Sequence, residues 1–174
     1  FFGTPSLCIE ILDELFLNGY IPSVIVTNPD KPQGRKMLLT QSPVKFWAIE
    51  HSIPILEPNK LDDKFLSELK KYDLKLSIVV AYGKIMPEDI INLPKFGTIN
   101  IHYSLLPKYR GATPVESAIL SGDTETGVSI QQMQFALDSG PILASEVLKI
   151  GQSETTPELK VRLNHIGKKL LVEL

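Results

Sequence analysis

The chain has 174 residues, of which 43% are hydrophobic and 22% are charged, and its formal net charge is −2. This composition is typical of a globular domain and excludes a disordered, collagen-like or coiled-coil chain. The single cysteine, Cys8, cannot form an intrachain disulfide, and we interpret it as a small core residue. No apolar run approaches the length of a membrane span. We expect a cytoplasmic protein, in a bacterial cytosol or an organelle matrix, with no metal, no membrane contact and no stable protein partner.

Short runs rich in Val and Ile alternate along the chain with segments of helical periodicity. This alternation predicts an α/β protein with a Rossmann-like, open, mostly parallel and twisted sheet flanked by helices. The predicted strands are residues 23–27, 53–56, 76–81, 98–102, 127–133 and 142–148. Helical stripes contain Leu7, Ile11, Leu12, Leu15 and Phe16, then Phe65, Leu66 and Leu69, and finally Leu159, Leu163, Ile166, Leu170 and Leu174. One domain is expected to fill residues 1–174.

Residues 28–45 form a long polar connection between a predicted strand and a helix that begins near Pro43. The connection has an excess of three positive charges, from Lys31, Arg35, Lys36 and Lys45 against Asp30. Long loops in compact domains are usually either functional or mobile. The composition fits both a contact with the phosphates of a polyanion and a solvated, mobile loop.

The most informative polar side chains lie on the predicted strand 98–102. Asn100 and His102 are two residues apart, so they project from the same face of the strand. The carboxyl ends of strands in open α/β sheets are where ligands bind, and residues 104–111 would form that loop. The alternative is an edge strand with a solvent face, which is less favoured because a mostly parallel sheet is covered on both faces.

The chemistry of these residue types suits acyl transfer to an amine. Histidine exchanges protons near neutral pH, and an asparagine amide can donate a hydrogen bond to a developing oxyanion. Asp138, in a predicted turn between two strands, is a candidate for orienting or charge-balancing His102. Taken alone, an aspartate before Ser-Gly-Pro is more often simple turn chemistry.

Motifs for several other chemistries are absent from the sequence. The turn that begins Gly3-Thr4-Pro5 lacks the further glycines of a dinucleotide site, so NAD is not expected. The sequence has no Walker A lysine loop, no His-Glu-x-x-His zinc helix and no Gly-x-Ser-x-Gly elbow. The sequence therefore contains no motif that indicates phosphoryl transfer, metalloprotease or serine hydrolase activity.

A series of ordered motifs resembles the folate-dependent formyltransferase family. The most specific are Asn100-x-His102-x-Ser104-Leu105-Leu106-Pro107, Tyr109-Arg110-Gly111 and Leu137-Asp138-Ser139-Gly140. Supporting stretches are Phe2-Gly3-Thr4-Pro5, Thr27-Asn28-Pro29-Asp30-Lys31-Pro32, Gly34-Arg35, Ser42-Pro43-Val44-Lys45 and Val80-Ala81-Tyr82-Gly83. The resemblance covers nearly the whole chain and is greatest to the branch that acts on methionyl-tRNA.

The resemblance implies the formyltransferase fold and transfer of a formyl group from 10-formyltetrahydrofolate to the α-amino group of methionyl-initiator tRNA, in translation initiation. It implies a catalytic triad of Asn100, His102 and Asp138, in which the first two stabilise an oxyanion and the last two manage protons. Implied folate-binding positions are Ser104, Leu105, Leu106, Pro107, Lys84, Ile85 and Met86. Arg35 and Lys36 match an insertion that contacts the tRNA acceptor stem. The family's C-terminal, barrel-like tRNA-binding domain is expected to be absent from this chain.

Three rival functions share part of this pattern. The first is formyl transfer to a small amine, such as glycinamide ribonucleotide or an amino-sugar nucleotide. The second is hydrolysis, in which water accepts the formyl group. The third is a non-catalytic binding domain on the same scaffold, because a fold does not fix a function. The basic loop argues against the first rival, and the three intact catalytic positions argue against the third.

Overall fold

The computed structural model describes residues 1–33 and 37–174. Within these residues, the strands are β1 (Phe2–Gly3), β2 (Ile25–Val26), β3 (Lys31–Gln33), β4 (Leu38–Thr40), β5 (Ile55–Leu56), β6 (Ser77–Val80), β7 (Thr98–His102), β8 (Glu125–Gln132) and β9 (Ile142–Lys149). The helices are α1 (Leu7–Leu17), α2 (Pro43–Glu50), α3 (Asp63–Leu69), α4 (Glu88–Ile91), α5 (Pro114–Leu120) and α6 (Thr156–Glu173).

Seven of the described strands form one open sheet in the order β5-β2-β1-β6-β7-β8-β9. The four pairings from β5 to β7 are parallel, whereas β8 pairs antiparallel with both β7 and β9. The predicted α/β fold with a mostly parallel sheet is therefore confirmed, and its antiparallel part lies at one edge. In the register between β7 and β8, Asn100 lies opposite Gln131 and His102 lies opposite Ser129.

Apolar side chains cover both faces of the sheet, as expected for parallel strands joined by helices. Neighbouring strand residues contribute to different clusters, because side chains alternate between the two faces. Ile25, for example, packs in the cluster with α1, α2 and α6, whereas Val26 packs in the cluster with α3 and α4. The closing helix α6 buries Leu159 and Leu163 fully, in agreement with the predicted stripe. Leu174, at the end of that stripe, is 57% exposed.

A partly buried hydrogen-bond network connects the end of β7 to two helices. Tyr103 Oη donates to Asn164 Oδ1 of α6 at 2.8 Å, and Asn164 Nδ2 donates to the carbonyl of Leu7 at 3.0 Å. Burial raises the pKa of Tyr103, so its phenol stays protonated and remains a donor. Gly167 lets the helix approach closely, since a Cβ there would lie 3.2 Å from Ile101 Cγ2. The strand that carries His102 is thus fixed against α6.

The polar connection before α2 is partly structured, and the prediction of a long loop is wrong in that respect. Strands β3 and β4 pair antiparallel, with Lys31 opposite Thr40 and Pro32 opposite Leu39. Three-residue strands of mixed polarity leave no periodic pattern long enough to detect in a sequence. Arg35 and Lys36, the predicted tRNA contacts, lie outside the described residues.

Lys45 is bound to two carboxylates at the base of this hairpin. Its Nζ lies 3.0 Å from Asp30 Oδ1 and 2.9 Å from Glu57 Oε2. The hydrogen bonds to Glu57 and Asp30 raise the pKa of Lys45, so it carries its positive charge at neutral pH. That charge is compensated within the protein. The net positive charge available to a polyanion is therefore smaller than the sequence count indicates.

Candidate active site

A cleft of about 710 Å³ opens at the carboxyl ends of β6 and β7. Its polar lining includes Asn100, His102, Gln131 and Asp138. Its apolar lining includes Val79, Ile85, Met86, Ile91, Met133, Phe135 and Leu137. Sites for small molecules typically measure about 300–1,000 Å³ and combine apolar walls with a few convergent polar groups. The cleft has both properties.

Strand β7 carries Asn100 and His102 on the face that lines the cleft. Both residues project the same way because they lie two positions apart on a strand. Asn100 is half-buried, and the His102 side chain is only 6% exposed. The parallel strand β6 and the antiparallel strand β8 flank β7 and hold it on both sides.

The two ring nitrogens of His102 face different acceptors. Nε2 lies 2.8 Å from the backbone carbonyl oxygen of Tyr109, and Nδ1 lies 3.7 Å from Asp138 Oδ2. Because a carbonyl oxygen can only accept, Nε2 carries a proton, and Nδ1 is the nitrogen that gains or loses one. The distance to Asp138 is too long for a direct hydrogen bond. The Asp138 carboxyl group therefore faces Nδ1 without a direct hydrogen bond to it.

Tyr109 presents its carbonyl to His102 from an unusual backbone conformation. Its φ is +56°, in the left-handed region that most side chains avoid. The phenol of Tyr109 donates to Asp123 Oδ2 at 2.8 Å, and Lys108 Nζ lies 2.7 Å from the same oxygen. This anchoring fixes the residue whose carbonyl sets the tautomer of His102.

Asp138 lies in the connection between β8 and β9, at a φ of +46°. Its Oδ1 accepts a hydrogen bond from Gln131 Nε2 at 2.7 Å, and its Oδ2 accepts one from the backbone N–H of Gly111 at 2.8 Å. Two donors on opposite oxygens fix the plane of the carboxylate. Asn100, His102 and Asp138, separated in sequence, thus line the same cleft.

Lys84, Ile85 and Met86 also line the cleft, each in a different way. Lys84 Nζ donates to the carbonyls of Pro58 and Asn59, and burial together with the charge of Lys31 lowers the pKa of Lys84. Ile85 is 86% exposed, whereas Met86 is 4% exposed. Met86 therefore forms part of the wall, and Ile85 leaves apolar surface open to solvent.

The loop of Ser104, Leu105, Leu106 and Pro107 follows His102 and is not part of the cleft lining. Ser104 Oγ donates to the carbonyl of Lys108, and the Leu106 N–H donates to Ser129 Oγ at 3.0 Å. These bonds stabilise the turn that leads to Tyr109. The assignment of folate contacts to this loop stays a prediction.

The contacts made by Gln131 and by the Tyr109 and Gly111 backbones were not identified from the sequence. Gln131 lies in the predicted strand 127–133, where no contact was assigned to it. A usable signal was present, because Ser129 and Gln131 are polar at a spacing of two and alternate with the apolar Val128 and Ile130. Backbone donors and acceptors such as those of Gly111 and Tyr109 leave no signal in a sequence.

In the part of the chain that the structure describes, the other candidate groups do not form a second reactive centre. Cys8 Sγ donates to the carbonyl of Val80 at 3.3 Å, and burial raises the pKa of Cys8 to about 12, so its thiol is an inert core group. Among residues 1–33 and 37–174, no cluster of three or more His, Cys, Asp or Glu side chains could hold a metal ion. No helix in the described part of the chain is both long and apolar enough to cross a membrane.

The fold and the site define an α/β protein with an Asn, His and Asp cluster in an apolar cleft at the ends of its parallel strands. A family model described as "Formyl transferase" matches residues 1–174. The chain therefore belongs to the formyl transferase family, as its motifs indicate.

Individual relatives agree with this membership. The chain is 42% identical over 175 residues to a methionyl-tRNA formyltransferase from Methylococcus capsulatus, covering 100% of this chain and 57% of the relative. It is 43% identical over 174 residues to the protein of the same name from Myxococcus xanthus, covering 99% and 55%. The chain thus spans little more than half the length of these relatives. A phosphoribosylglycinamide formyltransferase structure from Bacillus halodurans has the same fold, with a TM-score of 0.81 at 21% identity, covering 98% of this chain and 89% of that one.

Proposed function

We propose that this chain contains the catalytic site for transfer of a formyl group from 10-formyltetrahydrofolate to the α-amino group of methionyl-initiator tRNA. The observation that carries the proposal is the arrangement of Asn100, His102 and Asp138 on one apolar cleft. The relatives named methionyl-tRNA formyltransferase, at 42% and 43% identity, support this acceptor over others. Initiator tRNA is used where translation begins, so we also propose a cytoplasmic location.

The cleft has the properties that a folate needs. Its apolar walls, which include Val79, Met86 and Ile91, can cover a planar ring, and the backbone at residues 81–86 offers polar groups beside them. The bound folate supplies an activated formyl group. Residues of the chain then provide the groups that react with it or stabilise it.

Each member of the cluster has a distinct proposed role. The Asn100 amide donates a hydrogen bond to the carbonyl oxygen on which negative charge develops, and such a donor contributes about 10²–10³ in rate. His102 receives the proton of the attacking amine at Nδ1, which its Nε2 contact with Tyr109 leaves available. It returns that proton to N10 of the folate as the bond from the formyl carbon to N10 breaks and tetrahydrofolate leaves. Asp138, 3.7 Å from that nitrogen, stabilises the charged ring.

The decisive experiment compares acceptors at one concentration of 10-formyltetrahydrofolate. We expect formylmethionyl-tRNA and tetrahydrofolate to form in equal amounts, with no product from glycinamide ribonucleotide. Transfer only to glycinamide ribonucleotide would identify a small-amine enzyme. Tetrahydrofolate release at full rate without any amine would identify a hydrolase. Folate binding with no turnover on any acceptor would identify the chain as a non-catalytic binding domain.

A charge placed in the cleft tests the folate site separately from the acceptor. We expect Ile85→Asp to weaken binding of 5-formyltetrahydrofolate, a poorly transferable analogue, by about tenfold or more, because it puts a carboxylate against an apolar wall. Isothermal titration calorimetry measures this directly. Leu120→Asp is the matched control, since Leu120 is 87% exposed, like Ile85 at 86%, and lies away from the cleft. Equal affinities of the two variants would remove residues 84–86 from the folate site.

A further inference from the structure

Gln131 is a buried polar residue next to the candidate catalytic cluster. It is 1% exposed, lies opposite Asn100 in the register of β7 and β8, and lines the cleft. On its other side, the pairing of β8 with β9 is irregular between Ile130 and Gln131. Irregularities of this kind re-aim side chains and are frequent beside active sites. Gln131 is therefore held in a position where its amide reaches Asp138.

The orientation of the Gln131 amide follows from its partner. Nε2 lies 2.7 Å from Asp138 Oδ1, and an ionised carboxylate can only accept a hydrogen bond. The nitrogen must therefore face Asp138, because the reverse orientation would set two oxygens against each other. Oε1 is then buried without a hydrogen-bond partner among the described residues.

This arrangement is unfavourable for stability alone. A buried acceptor without a donor lowers the stability of the folded protein, and an apolar side chain of the same length would avoid that loss. The hydrogen bond from Gln131 Nε2 to Asp138 is the contact that accounts for an amide at this position. A residue that lowers stability while it holds a reacting group is typical of a functional site.

We propose that Gln131 is a positioning residue, whose amide holds the Asp138 carboxylate in the orientation that faces His102. The proposal rests on the proposed function, because it assumes that Asp138 and His102 act together in acyl transfer. The Gly111 N–H holds Oδ2 from one side and the Gln131 amide holds Oδ1 from the other, so that removal of either bond frees the carboxylate to rotate.

Among the described residues, few titratable side chains line the cleft beside Asp138. The described titratable groups that line the cleft with it are Tyr82, Lys84, His102 and Tyr103. His102, on β7, contacts Asp138, whereas the Lys84 ammonium is bound to the carbonyls of Pro58 and Asn59. Arg110, next to Gly111 in the loop that packs on Asp138, is exposed. A change at position 131 is therefore expected to act on the pair of Asp138 and His102.

The first test replaces the amide with a side chain of equal length. We expect Gln131→Met to lower kcat for formyl transfer roughly 10- to 100-fold, because small misplacements of reacting groups are costly, with little change in KM. Its melting temperature should equal or exceed that of the wild type. Gln132→Met is the matched control, since Gln132 is the next residue on β8, is exposed and does not line the cleft. A lower melting temperature with an unchanged kcat would assign Gln131 a structural role and overturn the proposal.

Gln131→Glu provides a pH readout. A second carboxylate in contact with Asp138 repels it and favours a shared proton, so the acidic limb of the pH–rate profile should move to higher pH. Gln132→Glu adds the same charge on an exposed part of β8 and should leave the limb in place. A limb that does not move in Gln131→Glu contradicts the proposal.

A third readout does not depend on turnover. The chain has three histidines, and His102→Ala assigns the His102 signals in a ¹⁵N imidazole spectrum. We expect Gln131→Met to shift the His102 signals and to leave those of His51 and His165 unchanged. If the wild type shows no formyl transfer but this shift occurs, the proposed function fails and the positioning role stands. If the His102 signals do not change, the positioning role is wrong.

Discussion

Replacing His102 with alanine is expected to lower the rate of formyl transfer by about two to four orders of magnitude, the usual contribution of a positioned acid or base. The imidazole is the proposed acceptor of the amine proton, and its Nε2 is already committed to the Tyr109 carbonyl. Single-turnover measurements at saturating folate separate this effect from binding. Affinity for 5-formyltetrahydrofolate should change little, because the apolar walls remain.

Two further variants keep this result interpretable. His102→Gln retains a donor for Tyr109 but cannot transfer a proton, so it should be nearly as inactive as His102→Ala while it preserves the packing of a side chain that is 6% exposed. His165→Ala removes an exposed ring on α6 and should have wild-type activity. A wild-type rate in His102→Gln would exclude His102 from proton transfer.

The second large effect is expected for Asp138→Asn, which should lower kcat by about two orders of magnitude or more. An asparagine presents an NH₂ group on one side, so it cannot accept the hydrogen bonds of both Gln131 Nε2 and the Gly111 N–H. It also removes the negative charge that faces a protonated His102. The measurement is the rate of formyl transfer as a function of pH.

A double-mutant cycle tests whether Asp138 acts through His102. Residues that act as a unit are not additive, so Asp138→Asn combined with His102→Gln should be no slower than His102→Gln alone. Asp73→Asn, at an exposed position outside the cleft, is the matched control for the loss of charge. Fully additive losses would show that Asp138 contributes independently of His102.

Strand β7 was predicted from the sequence with its bounds unchanged, at Thr98–His102. Asn100 and His102 stand out because they alternate with Ile99 and Ile101 at a spacing of two, the period of a strand. Asp138 was predicted in a turn because Asp, Ser, Gly and Pro follow one another there. These local patterns were sufficient to predict the strand and the turn, because each of them is determined by residues that are adjacent in the sequence.

Features that depend on contacts distant in sequence were not predicted. Strand β1 has two residues and is defined by its pairing with β2 and β6 rather than by any pattern of its own. Glu57 compensates Lys45 together with Asp30, although Glu57 lies outside residues 28–45. The sequence count for residues 28–45 included Asp30 but not Glu57, so it overestimated the positive charge that is free to bind a polyanion.

The register of β8 against β7 determines the chemical identity of the cleft. Paired residues of neighbouring strands share a face, and a slip of one position moves every side chain of the slipped strand to the other face. Such a slip would bring Val128 and Ile130 beside Asn100 and His102 in place of Ser129 and Gln131. The sheet would still have apolar residues to bury, but the catalytic groups would lose their polar neighbours. The specific activity of a sample should therefore report the fraction of molecules in which β8 has paired with β7 in the native register. A measurement of secondary structure content cannot distinguish the two registers.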